Sequence, residues 1–343
     1  MSIPLNKPSI RRKDMDAVLS CLVTDKIGPG TLKDQFTHEA LKRLRCKIGL
    51  AMREYRRTID LALKILDLSP SDKIILSPLA PSHYVHALLA QGLEPLYADI
   101  KAETGLMDHD LVTQLMGREP KAIILDHTQG LIPDSSFYRN LDIPLIGDIS
   151  FSFGLLSDDD DKPVGSDYDL IVFSLEQDKI LTTGGGAILT SQDKKYTTLI
   201  RKRGEVLHKD QFIPDMNAAL GIAQLRELDD FLNKRGQIQS IFLDAVHKSR
   251  HKTFLQPEST AVVFGSFPVV LNSGMKDVRQ YALKKGIETH AAFAGCSLDV
   301  HESEKGSCPV AAALLLNCLL FPLYPTLSTK DVQIVARVLS TLP

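Results

Sequence analysis

The run Phe173-Ser174-Leu175-Glu176-Gln177-Asp178-Lys179-Ile180-Leu181-Thr182-Thr183-Gly184-Gly185-Gly186 starts at the end of an apolar stretch, Leu170-Ile171-Val172-Phe173, and finishes in three glycines. Consecutive apolar residues bounded by turn residues predict a strand buried on both faces. Ser174 closes that strand, and Lys179 stands five residues beyond it. Upstream, Pro144-Leu145-Ile146-Gly147 leads into Asp148 in the same manner. In an open parallel sheet, ligands bind outside the carboxyl ends of the strands. A lysine and an aspartate at two such ends are therefore candidate site residues. Singly, each has an ordinary reading: most lysines near a glycine turn are solvated, and most aspartates at strand ends cap turns.

Working outward, short apolar runs at 73–76, 95–98, 122–125, 144–146, 170–174 and 187–190 alternate with helix-period segments at 82–91, 108–116 and, more loosely, 135–140. That alternation predicts an α/β domain, a mostly parallel sheet with helices on both faces. A long helical pattern over 218–246 carries Leu220, Ile222, Leu225, Leu228 and Leu232 on one stripe. Beyond it come strands expected at 260–264 and 267–271, then helices at 276–285, near 310–318 and at 329–342. The chain is thus expected to divide into a large domain, residues 1–245, and a small C-terminal α+β domain, residues 246–343.

A net charge of −2 over 343 residues offers no electrostatic footprint for nucleic acid or an anionic membrane. The longest apolar stretch, Val310 to Leu316, is too short to span a bilayer. Five scattered cysteines without CxxC spacing suit free thiols in a reducing cytoplasm better than a disulfide framework or a zinc site. The Arg11-Arg12-Lys13 cluster reads as a solvated helix start, and Asp158–Asp161 as a solvated turn. His83 and His86 share a helix face without a third ligand, while His127 falls at a strand end.

An aspartate followed by a lysine, in that order, is what pyridoxal 5'-phosphate (PLP) chemistry asks for. The lysine condenses with the cofactor aldehyde, and the carboxylate keeps the pyridine nitrogen protonated. The surrounding residues resemble the DegT/DnrJ/StrS sugar aminotransferases, nearly end to end. Leu145-Ile146-Gly147-Asp148 is similar to that family's V-I-E-D, Gly165-Ser166-Asp167-Tyr168-Asp169 to G-S-L-G-D, and 173–184 to F-S-F-Y-P-T-K-N-L-T-T-G. Asn217-Ala218-Ala219-Leu220-Gly221-Ile222-Ala223-Gln224-Leu225 resembles Q-A-A-I-G-L-A-Q-L. The resemblance implies an aspartate-aminotransferase-like fold (PLP fold type I) and a homodimer with each site at the subunit interface. It also implies Lys179 as cofactor anchor and proton shuttle, Asp148 as pyridinium partner and Ser174 as phosphate ligand. The small-molecule substrate it implies is a keto-sugar or sugar nucleotide.

Several positions depart from the pattern. The phosphate-binding S-S-G-T falls on Arg53-Glu54-Tyr55-Arg56, where tyrosine should obstruct close approach and Arg53 or Arg56 would have to supply positive charge. The aromatic residue that stacks on the ring falls on Pro81, with His83 and Tyr84 nearby. The glutamine three residues after the aspartate becomes Phe151, and an asparagine supplied by the partner subunit falls on Asp210. His290-Ala291-Ala292-Phe293-Ala294-Gly295 replaces a longer substrate loop, and His127 stands in Asp126-His127-Thr128-Gln129-Gly130 where the family has V-H-L-Y-G. Two readings follow: a PLP-dependent aminotransferase, or a catalytically degenerate paralogue that keeps the fold for an interaction role.

Overall fold

The computed structural model describes residues 2–157, 161–255 and 262–343. The N-terminal part contains α1 (Arg12–Val23), α2 (Thr31–Arg43), β1 (Ile48–Met52), α3 (Tyr55–Ile65), β2 (Lys73–Leu76), α4 (Ser82–Ala90) and β3 (Glu94–Tyr97). There follow α5 (His109–Met116), β4 (Ala122–Asp126), α6 (Ser135–Arg139), β5 (Leu145–Asp148), β6 (Leu170–Ser174), β7 (Ala187–Ser191), α7 (Lys194–Val206) and α8 (Asp215–Arg226). The remainder is α9 (Leu228–Val246), β8 (Phe267–Val270), α10 (Met275–Lys284), β9 (His290–Ala291), α11 (Ser297–Val300), α12 (Pro309–Asn317), β10 (Cys318–Phe321) and α13 (Thr329–Ser340).

Among the described residues, β1 to β7 form one seven-stranded sheet in the order β1-β7-β6-β5-β4-β2-β3. Only β7 runs against the others, pairing antiparallel with β1 and β6. Because side chains alternate across a strand, Ile74 and Leu76 enter the core on one face and Ile75 enters the core on the other. The first face is covered by α3, α4 and α7 through Ile59, Leu63, Tyr84, Leu88 and Ile200. The second is covered by α2, α5, α6 and α8 through Phe36, Leu41, Val112, Tyr138 and Ile222. Burial on both faces explains why β4 to β7 read as continuous apolar runs. β8, β10 and β9 make a second, antiparallel sheet, whose core is shared with α9, α10, α12 and α13.

Four sequence expectations are corrected. The helix expected over 218–246 is two helices that meet at Glu227, whose φ of −102° and ψ of 0° leave the helical region. The Arg11 guanidinium grips that corner, 2.5 Å from Glu227 and 2.9 Å from Asp230, so this part of the basic cluster is an anchor rather than a solvated group. The helix expected to run to residue 318 stops at Asn317, because Cys318 pairs with Val270 as the first residue of β10. Val262 to Phe264 form no strand. Thr260 and Ala261 of that expected strand, and Asp158 to Asp160 of the acidic run, lie outside the described residues. All five cysteines are free and buried. No helix among the described residues is long and apolar enough to cross a membrane.

Candidate active site

β4, β5 and β6 are parallel neighbours, so their carboxyl ends share one edge of the sheet, and they end in Asp126, Asp148 and Ser174. Asp126 and Asp148 are directly opposed in register. Gly147 permits this edge to close: a Cβ there would lie 1.8 Å from the Tyr168 ring, which packs against the β5 backbone. A cavity of about 440 Å³ opens at the edge, lined by Tyr55, His83, Asp126, His127, Asp148 and Lys179 among others.

Asp148 is fully engaged. Ser150 donates to its Oδ1 from both N and Oγ, at 2.9 and 2.5 Å. Oδ2 receives the Tyr84 phenol at 2.9 Å and the Tyr55 phenol as well. Burial, then the neighbouring carboxylate, pushes both phenols well above the usual phenol range, so both remain O–H donors. Four donors on two oxygens use the acceptor capacity of a carboxylate. Ser174 joins the cluster at one remove, its N–H donating to Ser150 Oγ at 2.8 Å while its own hydroxyl accepts from the Glu176 N–H at 3.3 Å.

Lys179 reaches the same cavity. Its Nζ lies 2.7 Å from Asp178 Oδ2 and 4.3 Å from the centre of the Phe151 ring, a cation–π contact that accounts for phenylalanine at a position where the family has glutamine. Its ammonium partner is therefore Asp178 rather than Asp148. Gly186 shapes the turn behind it, with φ of +100° and a would-be Cβ 2.8 Å from the Met52 carbonyl.

The second strand-end carboxylate differs. Asp126 is buried, its Oδ2 accepts from Thr128 Oγ1 at 2.5 Å, and its Oδ1 has no partner. Burial pushes its carboxyl up to about 7, against the lowering effect of the Thr128 bond and with a further push from Asp148. Gln129 lines the cavity nearby, its Nε2 donating to the Ala292 carbonyl at 3.2 Å while its buried Oε1 is also unpartnered. His127 is locked between Ser152 Oγ (2.5 Å) and Tyr168 Oη (2.7 Å), and burial pulls it down to about 3, so it stays neutral. Among the described residues, no group of three or more metal-ligating side chains is present.

Neither arginine at the start of α3 lines this cavity. Arg56 turns back along its helix, 3.1 Å from Asp60 Oδ1 and 2.7 Å from the His86 carbonyl, and Arg53 is exposed. Asp210 is exposed beside His208. The shortened loop from His290 to Gly295 does line the cavity. Sequence reasoning singled out Asp148, Lys179 and Ser174 but passed over Asp126, whose signal was the same: a carboxylate closing an apolar strand. Tested against PLP, the residues fit in kind. There is a strand-end carboxylate, a lysine amine on the same cavity wall, the Ser150 hydroxyl bridging the ends of β5 and β6, and the first N–H groups of α3, which a helix leaves without intrahelical partners. The exception is the Tyr55 phenol, which already holds the oxygen a pyridine nitrogen would need.

The chain is 25% identical over 356 residues to the GDP-perosamine synthase of Escherichia coli O157:H7, covering 96% of this chain and 95% of that protein. It is 24% identical to the dTDP-4-dehydro-2,3,6-trideoxy-D-glucose 4-aminotransferase of Saccharopolyspora spinosa, covering 97% and 95%. The fold superposes on the PLP form of the putative sugar aminotransferase Spr1654 from Streptococcus pneumoniae with a TM-score of 0.91, at 18% identity and over 99% and 98% of the two chains. These likenesses support the aminotransferase reading over the degenerate one. With residues 8–340 matching its pattern, the chain belongs to the DegT/DnrJ/EryC1/StrS aminotransferase family, a PLP-dependent family of fold type I.

Proposed function

We propose that this protein transfers an amino group to a keto-sugar, carried as a sugar nucleotide, in polysaccharide or secondary-metabolite biosynthesis. The observation that carries this reading is the convergence of Lys179, Asp148 and Asp126 on one cavity. Asp148, Lys179 and Ser174 would hold the cofactor, and Arg53, exposed beside the start of α3, is the cation in that segment not committed as Arg56 is. When bound, PLP supplies an electron-accepting ring and an aldehyde carbon that carries the amino group from donor to acceptor. The chain's own part is to move a proton at Lys179 Nζ and to orient the sugar. The unpartnered Asp126 Oδ1 and Gln129 Oε1 suit that second task, since each needs a donor and sugar hydroxyls are donors. The test incubates the protein with PLP, L-glutamate and a panel of nucleotide-linked keto-sugars, and follows amine product by mass. No product from any acceptor, or equal turnover by Lys179→Ala, refutes the reading.

The protein is read as a homodimer, supported by the apolar stripe on α1, where Met15, Leu19 and Val23 are 52%, 57% and 82% exposed. A monomer by light scattering at micromolar concentration refutes this. The division at 245/246 is supported by the two separate sheets, and a cytoplasmic location by the five free thiols.

A further inference from the structure

Tyr55 opens α3, at the position where the family's phosphate-binding glycine falls, yet its side chain does not point to water. It is only 4% exposed, and its phenol runs from the helix start to the strand-end carboxylate of Asp148. Its ring is packed edge-on to Tyr84, 6.2 Å between centroids, and tilted against His83 at 5.0 Å. A six-membered ring thus already spans from a helix N-terminus to Asp148, offering an O–H where a protonated ring nitrogen would offer an N–H. Tyr55 also forms part of the cavity wall, so the ring borders space rather than solid core.

From this geometry we infer that Tyr55 is an internal competitor of the cofactor: its ring and hydroxyl fill the cofactor's place on Asp148, and PLP enters only the fraction of molecules in which Tyr55 has swung away. The inference rests on the reading of this protein as PLP-dependent and adds a gate to that same site. Gating of this kind raises the apparent dissociation constant by the reciprocal of the open fraction. It also leaves the cofactor-free protein with every oxygen of Asp148 satisfied, so the apo state is a well-packed one. Tyr84 shares the same carboxylate oxygen but starts from α4 and is fully buried, so it is the phenol that stays when Tyr55 leaves.

The experiment titrates PLP into the full chain and into Tyr55→Ala, Tyr55→Phe and Lys179→Ala. It follows visible absorbance and cofactor retained after dialysis, with circular dichroism as a check on folding. Tyr55→Ala is expected to bind PLP at least tenfold more tightly than the wild type. Tyr55→Phe, which keeps the ring but removes its own bond to Asp148 Oδ2 while that of Tyr84 stays, is expected to bind several-fold more tightly, and it decides the matter alone if the alanine variant does not fold. Lys179→Ala should lose the visible band. Equal affinity in wild type and both Tyr55 variants overturns the gate and leaves the aminotransferase reading standing. No uptake by any folded variant, Tyr55→Ala included, overturns the cofactor reading and the gate with it.

Discussion

Asp126 and Asp148 close neighbouring parallel strands, lie opposite each other in register and border one cavity, yet their surroundings are opposed. Asp148 receives four donors, two from Ser150 and one each from Tyr55 and Tyr84. Asp126 receives one side-chain donor, from Thr128, and leaves Oδ1 unmatched. Native proteins pair the great majority of buried polar atoms, so an orphan acceptor beside a cavity asks for a ligand, whereas a saturated one asks for none. In the cofactor-free chain, one carboxylate is thus committed to holding protein together and the other is open to something from outside.

The largest expected effect is at the saturated carboxylate. Asp148→Asn replaces one acceptor oxygen with an NH2 that faces the Ser150 N–H or a phenol, and it removes the charge from every bond. Breaking such a buried charged cluster costs about 3–5 kcal/mol, measured as the shift in urea midpoint at constant m-value, and turnover should vanish as well. A loss below about 1 kcal/mol would mean that the four bonds are not charge-assisted.

The effect at Asp126 has the opposite sign. Its folded pKa is raised from 3.8 to about 7 by burial. Between these values the unfolded chain has released the proton while the folded chain keeps it, so folding stability falls as pH rises through that window and then levels off. Asp126→Asn removes the penalty. The variant should match the wild type near pH 4 and exceed it by a few kcal/mol at pH 8. As pH rises past the folded pKa of about 7, the ionised Asp126 becomes the stronger acceptor for a sugar hydroxyl, so the substrate KM of the wild type should drop toward pH 8 while that of the variant stays flat. A stability difference independent of pH would remove the assigned titration.

How much of this was readable beforehand follows from what each residue's role depends on. Asp148 and Ser174 are legible because a strand-end position is a local property, an apolar run and then a polar residue, and Lys179 is legible in the turn that follows, ahead of the three glycines. The same logic points to Asp126, whose neighbour His127 is the more conspicuous residue but is a neutral group pinned by Ser152 and Tyr168. Tyr55 was legible only as an obstruction. Where its phenol goes depends on the separation between the start of α3 and the end of β5, which are 93 residues apart in sequence, and no local pattern encodes that distance. Of the early helices only the start of α1 is legible, at Arg11-Arg12-Lys13, while the rest of α1 and all of α2 escape for a related reason. Only Asp14 and Cys21 of α1, and Phe36, Ala40 and Leu41 of α2, are buried, so neither shows the broad apolar stripe that betrays a core helix.

The smallest expected effect tests whether the two phenols on Asp148 are equivalent. Both are buried, both stay protonated, and both reach Oδ2. Tyr84 is wholly enclosed at 0% exposure, packed in the core between α4 and the sheet, whereas Tyr55 borders the cavity. Removing the Tyr84 hydroxyl leaves Asp148 with three donors and opens no path for water. Tyr84→Phe should therefore cost about 1.5–3 kcal/mol, the net worth of one hydrogen bond to a charged group. PLP affinity should fall or stay level rather than rise, because the ring that competes for the cofactor's place is untouched. If Tyr84→Phe instead tightened PLP binding as much as Tyr55→Phe, the gain would come from freeing any acceptor on Asp148. The distinction between a structural phenol and a displaceable one would then collapse.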